Sequence, residues 1–211
     1  MKSLTIPVLV FAALVVPLAA QASEDARIGR FYSSFEVGMP QPEASPQFSN
    51  PHGRVALSLG FGRRHSRHLA WEIDYLGYGQ SFDVLPGLPS LPPLTASDGR
   101  ASAQTNSISG TLRVVYPLGA FEPYAGAGVG YYRAKLSVTG LQLFLFPTSV
   151  SRRESGIGTH LMVGADFHSG ANSAWGLKYR KTFFDAAFGP EIPGEVHLGA
   201  GIWTLSFRRM F

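Results

Sequence analysis

FEPYAGAGVGYYRAKL, residues Phe121 to Leu136, decides how the whole chain is read. Phe121, Ala125, Ala127, Val129 and Tyr131 fall on one set of alternate positions; Glu122, Tyr124, Gly126, Gly128 and Gly130 fall on the other. A period of two belongs to a β-strand with one oily face, and no helical i, i+3, i+4, i+7 stripe competes with it. The GAGVG core sits inside this strand without a following helix, so it is not a phosphate-binding loop.

The same alternation recurs outward in both directions. Eight runs carry it: Arg30 to Gly38, Gly53 to Gly62, Leu69 to Phe82, Gln104 to Tyr116, Phe121 to Leu136, Gly156 to Phe167, Ser173 to Phe184, and Glu195 to Phe211. The connectors Arg63 to His68, Pro117 to Ala120 and His168 to Asn172 are short. Met39 to His52, Asp83 to Ala103, Ser137 to Ser155 and Asp185 to Gly194 are long. Short and long connectors alternate strictly, which predicts an up-and-down antiparallel meander with every long loop at one end.

One face of this meander is aliphatic and aromatic throughout. The opposite face carries Glu36, Glu72, Asp74, Glu122 and Asp166 with Arg113, Lys178, Arg180 and Arg208, among serines, threonines, His160 and glycines. A soluble barrel would turn the oily face inward, whereas a membrane barrel turns it to lipid and fills its lumen with polar groups. Five acids against four bases is a nearly balanced set that can pair in a narrow lumen, and the glycines leave room for long neighbours such as Arg113 and Tyr124. At the short-turn end of all eight runs the oily position is aromatic: Phe31, Phe61, Trp71, Tyr116, Phe121, Phe167, Trp175 and Phe211. Rings at one height form the girdle of a membrane boundary. Hydrocarbon tolerates no open sheet edge, so the eighth strand must close on the first. The sequence therefore predicts an all-β, eight-stranded antiparallel up-and-down transmembrane β-barrel, with both termini on the periplasmic side and the long loops outside. Lys181 disturbs the oily face of the seventh run; either a bulge shifts the parity near Thr182 or the membrane boundary lies lower there.

The rest of the chain fits that destination. Met1-Lys2, an apolar stretch from Leu4 to Ala20 and the small-x-small triplet Ala20-Gln21-Ala22 read as a signal peptide over residues 1–22, leaving 23–211 as the barrel domain. Nothing in 23–211 approaches a transmembrane helix. Only 15% of the 211 residues are charged, 45% are apolar, and the net charge is +4, which argues against disorder, a coiled coil and a nucleic-acid partner. Cysteine is absent, which excludes disulfides, thiol catalysis and cysteine-held metals. No cofactor is expected.

YAGAGVGYY (Tyr124 to Tyr132), WGLKYRKTF (Trp175 to Phe183) and GAGIWTLSFRRMF (Gly199 to Phe211), with the signal peptide, resemble the small outer-membrane β-barrel family that includes the OmpA transmembrane domain, OmpX/Ail and OmpW. The resemblance implies a Gram-negative outer-membrane location. It also implies that the assembly machinery reads the terminal strand through Phe211 and Phe207, although Arg209 stands where an apolar residue is usual. No room remains after Phe211 for an OmpA-type peptidoglycan-binding module, so none is expected.

Function is expected in the long loops. Val84 to Leu94 (VLPGLPSLPPL) and Leu141 to Phe146 (LQLFLF) are apolar for loops, which fits a cap over the mouth, adhesion, or an entrance for small hydrophobic molecules as in OmpW-like barrels. No residue pattern names a ligand for them. Arg133, Lys135, Arg152 and Arg153 near the outer rim are candidates for lipopolysaccharide phosphates. Catalysis of the lipid A-modifying kind is disfavoured. Asp166, His168 and Ser169 lie in a periplasmic turn, Glu195 and His197 lack a serine, and the six histidines show no metal-ligand spacing.

Overall fold

The computed structural model describes residues 24–42, 48–84, 100–143, 146–170, 172–188 and 196–211 of the chain. The expected signal segment and the proline-rich stretch from residue 85 to 94 lie outside the described residues. A short 3-10 turn, Glu24–Arg27, precedes ten strands: β1 (Phe31–Pro42), β2 (Phe48–Arg64), β3 (Leu69–Val84), β4 (Arg100–Val115), β5 (Phe121–Leu143), β6 (Phe146–His168), β7 (Ser173–Phe183), β8 (Asp185–Ala186), β9 (Val196–His197) and β10 (Ala200–Met210).

Eight of them close a barrel in the order β1-β10-β7-β6-β5-β4-β3-β2, every pairing antiparallel. The closing seam joins β1 to β10 from Tyr32↔Met210 to Pro42↔Ala200, and the Phe211 amide donates to the Phe31 carbonyl at 3.0 Å. Gly119, with φ of 68°, makes the tight turn between β4 and β5 that the PLGA connector announced.

Apart from the shifts in β2 before Ala56 and in β5 and β6 beyond Val138, the barrel strands alternate. The charges expected in the lumen face inward, and a belt of large apolar side chains faces out: Ile108, Leu112 and Val114 are each about 60% exposed. That exposure fits only a lipid surround. From Tyr116 to Ile108 is nine residues, the length a tilted strand needs to cross hydrocarbon. At the periplasmic end Phe31 stacks on Phe61 at 5.5 Å between centroids, and Phe61 meets both Trp71 and Phe211 at 6.2 Å. These rings continue one another across the closing seam.

The structure departs from the sequence expectation in its connectors and answers one question left open at Lys181. The segment Ser137 to Ser155, expected as a loop, is strand over its described residues: β5 and β6 stay paired out to Leu143↔Phe146, with one irregularity between Val138 and Leu141. Its threonines and valines suit a pleated ribbon, and a long hairpin keeps its backbone hydrogen bonds above the membrane. The last run splits. Residues 196–197 pair with 185–186 in a separate two-stranded sheet, and the barrel strand begins only at Ala200. No bulge occurs at Thr182, which is buried inside while Lys181 and Phe183 both face outward; the Lys181 ammonium lies 5.9 Å from the Phe183 ring.

The wall is also irregular where β1 meets β2. β1 pairs with β2 only as far as Gly38↔Ala56, although it follows β10 to Pro42. β2 carries register shifts between Ser49 and His52 and between Gly53 and Ala56. Pro40 has no amide to donate, and a side chain at Gly53 would collide with the Pro40 carbonyl, so only glycine lets β2 pass here.

Candidate functional site

The lumen is filled by paired charges in two groups. Near the periplasmic mouth Glu122 accepts from Arg27 Nη1 at 3.0 Å and from Arg64 Nη1 at 2.5 Å, with His168 Nε2 at 3.6 Å. Arg27 comes from the turn before β1 and also donates to the Gly119 carbonyl at 2.7 Å, so the segment ahead of the barrel reaches back into its mouth. Further in, Arg113 spans Glu72 at 3.3 Å and Asp166 at 3.0 Å, and Arg208 pairs with the same two acids. Lys178 meets Glu36 at 2.5 Å and Glu72 at 3.9 Å; Arg180 meets Asp74 at 2.6 Å. The guanidiniums also lie over rings, Arg113 at 3.7 Å from the Tyr124 centroid and Arg208 at 4.7 Å from that of Tyr32.

Glu72, Arg113, Lys178 and Arg208 are thus joined in one network, Asp74 and Arg180 form a pair of their own, and Glu122 stands at the mouth. Arg27, Arg64 and His168 are not among the lumenal charges expected from the sequence. Arg64 and His168 share the inward parity of Gly62 and Asp166 and were legible from it, whereas Arg27 lies before the first strand and gave no periodic signal. The glycines serve this packing: a side chain at Gly128 would meet the His160 ring, and one at Gly164 would meet the Tyr124 hydroxyl.

The polar groups expected to plug the interior fill its inner part; toward the top the inward face turns apolar. Phe82, Ala101, Ala103, Tyr132, Ala134, Leu136 and Val138 line the outer part of the lumen and form one buried cluster with Phe184, Ala186, Phe188, Val196 and Leu198. Those last five come from the segment around β8 and β9, which folds in as a cap. Phe184 stacks on Tyr132 at 5.2 Å, and the Tyr78 hydroxyl donates to the Leu198 carbonyl at 2.9 Å. The outer part of the lumen thus buries apolar surface where the inner part pairs charges.

The rim candidates divide. Arg133 and Lys135 face outward on β5, and Arg153 stands directly across from Lys135 on β6. Arg152 pairs with inward-facing Leu136 and so lies on the other side of the ribbon, away from the three. Neighbours on a strand point to opposite faces, a rule that has no hold on Arg152 and Arg153 as residues of an expected loop. Among the residues weighed for catalysis, Asp166 is held by Arg113 and Arg208, His168 turns to Glu122, and Ser169 shares a 3.0 Å hydrogen bond with Ser173; the three do not converge. His197 pairs with exposed Asp185, while Glu195 lies outside the described residues.

This closed barrel, oily outside and ionic within, can be set against known proteins. The family described as outer membrane protein beta-barrel domain matches residues 8–211. The chain belongs to that family. As an outer-membrane β-barrel it shares its architecture with several solved structures. OprG from Pseudomonas aeruginosa superimposes with a TM-score of 0.64 at 16% identity, covering 88% of this chain and 97% of that one. Neisserial surface protein A gives 0.58 at 16% identity, covering 86% and 97%. The attachment invasion locus protein Ail of Yersinia pestis, in complex with the heparin analogue sucrose octasulfate, gives 0.50 at 13% identity, covering 87% and 99%. At these identities the likeness is one of fold. No curated protein matches by sequence. The protein is accordingly an integral outer-membrane barrel of the Gram-negative envelope, and its outward belt is in contact with membrane lipid.

Proposed function

We propose that this barrel acts from its outer surface, in surface binding, adhesion or stabilisation of the envelope, without catalysis and without a standing aqueous pore. The observation that carries this reading is the double closure of the lumen. Ion pairs fill its inner part, and the apolar cap formed around β8 and β9 fills its outer part. Work is then left to what projects outward, chiefly the tall β5–β6 hairpin and the basic wall at Arg133, Lys135 and Arg153. Residues 1–22 serve as the export signal, and the strand ending at Phe211 is the part presented to the assembly machinery. Planar-bilayer recording tests the closure. The purified full-length barrel is expected to show no steady conductance; stable open steps would overturn the reading. Loss of the protein from its host is expected to raise dye entry across the outer membrane, and unchanged lipid A mass on overexpression is expected for a non-catalytic barrel.

A second reading, an entrance for small hydrophobic molecules, is favoured by one observation. Where the β1–β2 ladder stops at Ala56, the lumen behind it is lined by an apolar group of Ala56, Leu76, Tyr78, Ala200 and Ile202. Saturable uptake of a hydrophobic dye into vesicles holding the barrel, lost on replacing Ala56 by Phe, would favour this reading over the first.

A further inference from the structure

The outward face of β2 to β5 changes chemistry within two cross-strand steps. Phe35, Leu59, Tyr75, Ile108 and Tyr131 are successive cross-strand neighbours and make one unbroken apolar row. Two residues nearer the outer end the row reads Leu57, Gly77, Asn106, Arg133, and two further it reads Gly79, Gln104, Lys135, Arg153. The Tyr75 hydroxyl marks the boundary by donating to Asn106 Oδ1 at 2.9 Å.

Gly77 and Gly79 interrupt that surface. With no side chains there, an open groove of about 800 Å³ runs from Phe35, Leu57 and Tyr75 up to Gln104 and Lys135. Arg54, from the bulged part of β2, lies across Gly79: its Cβ is 3.5 Å and its Cδ 3.6 Å from where a Gly79 side chain would begin. Lys135 is two strands from Gly79, about 10 Å at ordinary strand spacing. The two cations therefore bracket the polar end of the groove. Among the described residues no carboxylate pairs with Arg54, Arg133 or Lys135. On the same face of β3 the nearest acid, Asp83, stands four residues beyond Gly79.

We propose that this groove holds one phosphorylated glycolipid of the outer leaflet, the lipid A part of lipopolysaccharide. An acyl chain lies along Leu57, Leu59 and Tyr75, and a phosphate sits between Arg54 and Lys135. The joined chemistry selects the occupant. A soluble polyanion would leave the apolar half unfilled, and a neutral lipid would leave the cations unanswered; lipid A carries phosphates directly above its chains. Arg54, which no strand pattern had singled out, is the residue that turns a charged rim into a site.

The proposal deepens the surface-acting reading above and rests on it. Native mass spectrometry of the full-length barrel, released from detergent after incubation with bisphosphorylated lipid A, tests it. One lipid is expected to be retained per barrel, and R54S/K135S is expected to weaken retention at least about tenfold through loss of two charge-assisted contacts. G77L, which fills the groove without touching a cation, is expected to do the same, while R152S on the opposite face changes nothing. Heat-modifiable gel migration shows that each variant is folded. Retention unaffected by R54S/K135S or by G77L would overturn the proposal. So would equal retention of dephosphorylated lipid A, or displacement of lipid A by equimolar phosphatidylglycerol. A conducting barrel that still loses lipid A in R54S/K135S would sink the closed-lumen reading and leave the groove standing.

Discussion

Glu122 is the residue on which the periplasmic mouth turns. Arg27 and Arg64 both place a guanidinium against it in the buried mouth, so removing its charge leaves two cations facing each other without an answer. E122Q is expected to destabilise the barrel by about 3 to 5 kcal/mol, read as a lowered urea midpoint for unfolding from lipid vesicles. Lys181 poses the opposite case, a cation on the lipid side. It lies six residues beyond Trp175 and two before the end of β7, close to the outer boundary. K181L is therefore expected to gain no more than about 1 kcal/mol in the same assay, not the 2 to 4 kcal/mol of a midplane cation. Both residues were visible in the sequence as charges of known parity. What parity could not give was their depth, because depth follows from where each strand ends.

At the scale of elements, the two closures of the lumen lie in series. Phe188 belongs to the cap around β8 and β9 and is buried with Phe184 against Tyr132 and Leu136. F188A is expected to cost about 3 to 5 kcal/mol by leaving a cavity there. It is also expected to leave planar-bilayer conductance unchanged, because the ion pairs below still fill the lumen. Only a variant that also breaks the lower layer, F188A with D74N, is expected to show current steps. The alternation that placed the charges in the lumen was plain in the sequence, since each strand repeats it over its own residues. The cap was not: Phe188 falls in the expected loop Asp185 to Gly194, and that Phe184, Val196 and Leu198 fold with it over the lumen is set by tertiary packing, which alternation within a strand does not encode. The groove at Gly77 and Gly79 was equally hidden: it depends on which residues of β2 and β4 stand beside the glycines, and register between strands is not written in any one of them.

For the whole molecule, hydrogen bonding around a sealed sheet predicts resistance to detergent. The unheated protein is expected to migrate ahead of the boiled one in a dodecyl sulfate gel, and equal migration would speak against closure. The seat of Arg27 adds an order of events. Its partner Glu122 is on β5, and Arg64 and His168, which share that carboxylate, are on β2 and β6. Glu122 and His168 are already neighbours across the β5–β6 hairpin, but Arg64 on β2 reaches them only once the ribbon has curled. The foot ahead of β1 thus finds its socket after the cylinder has joined edge to edge. It acts as a catch that sets last, latching the finished cylinder at its periplasmic mouth.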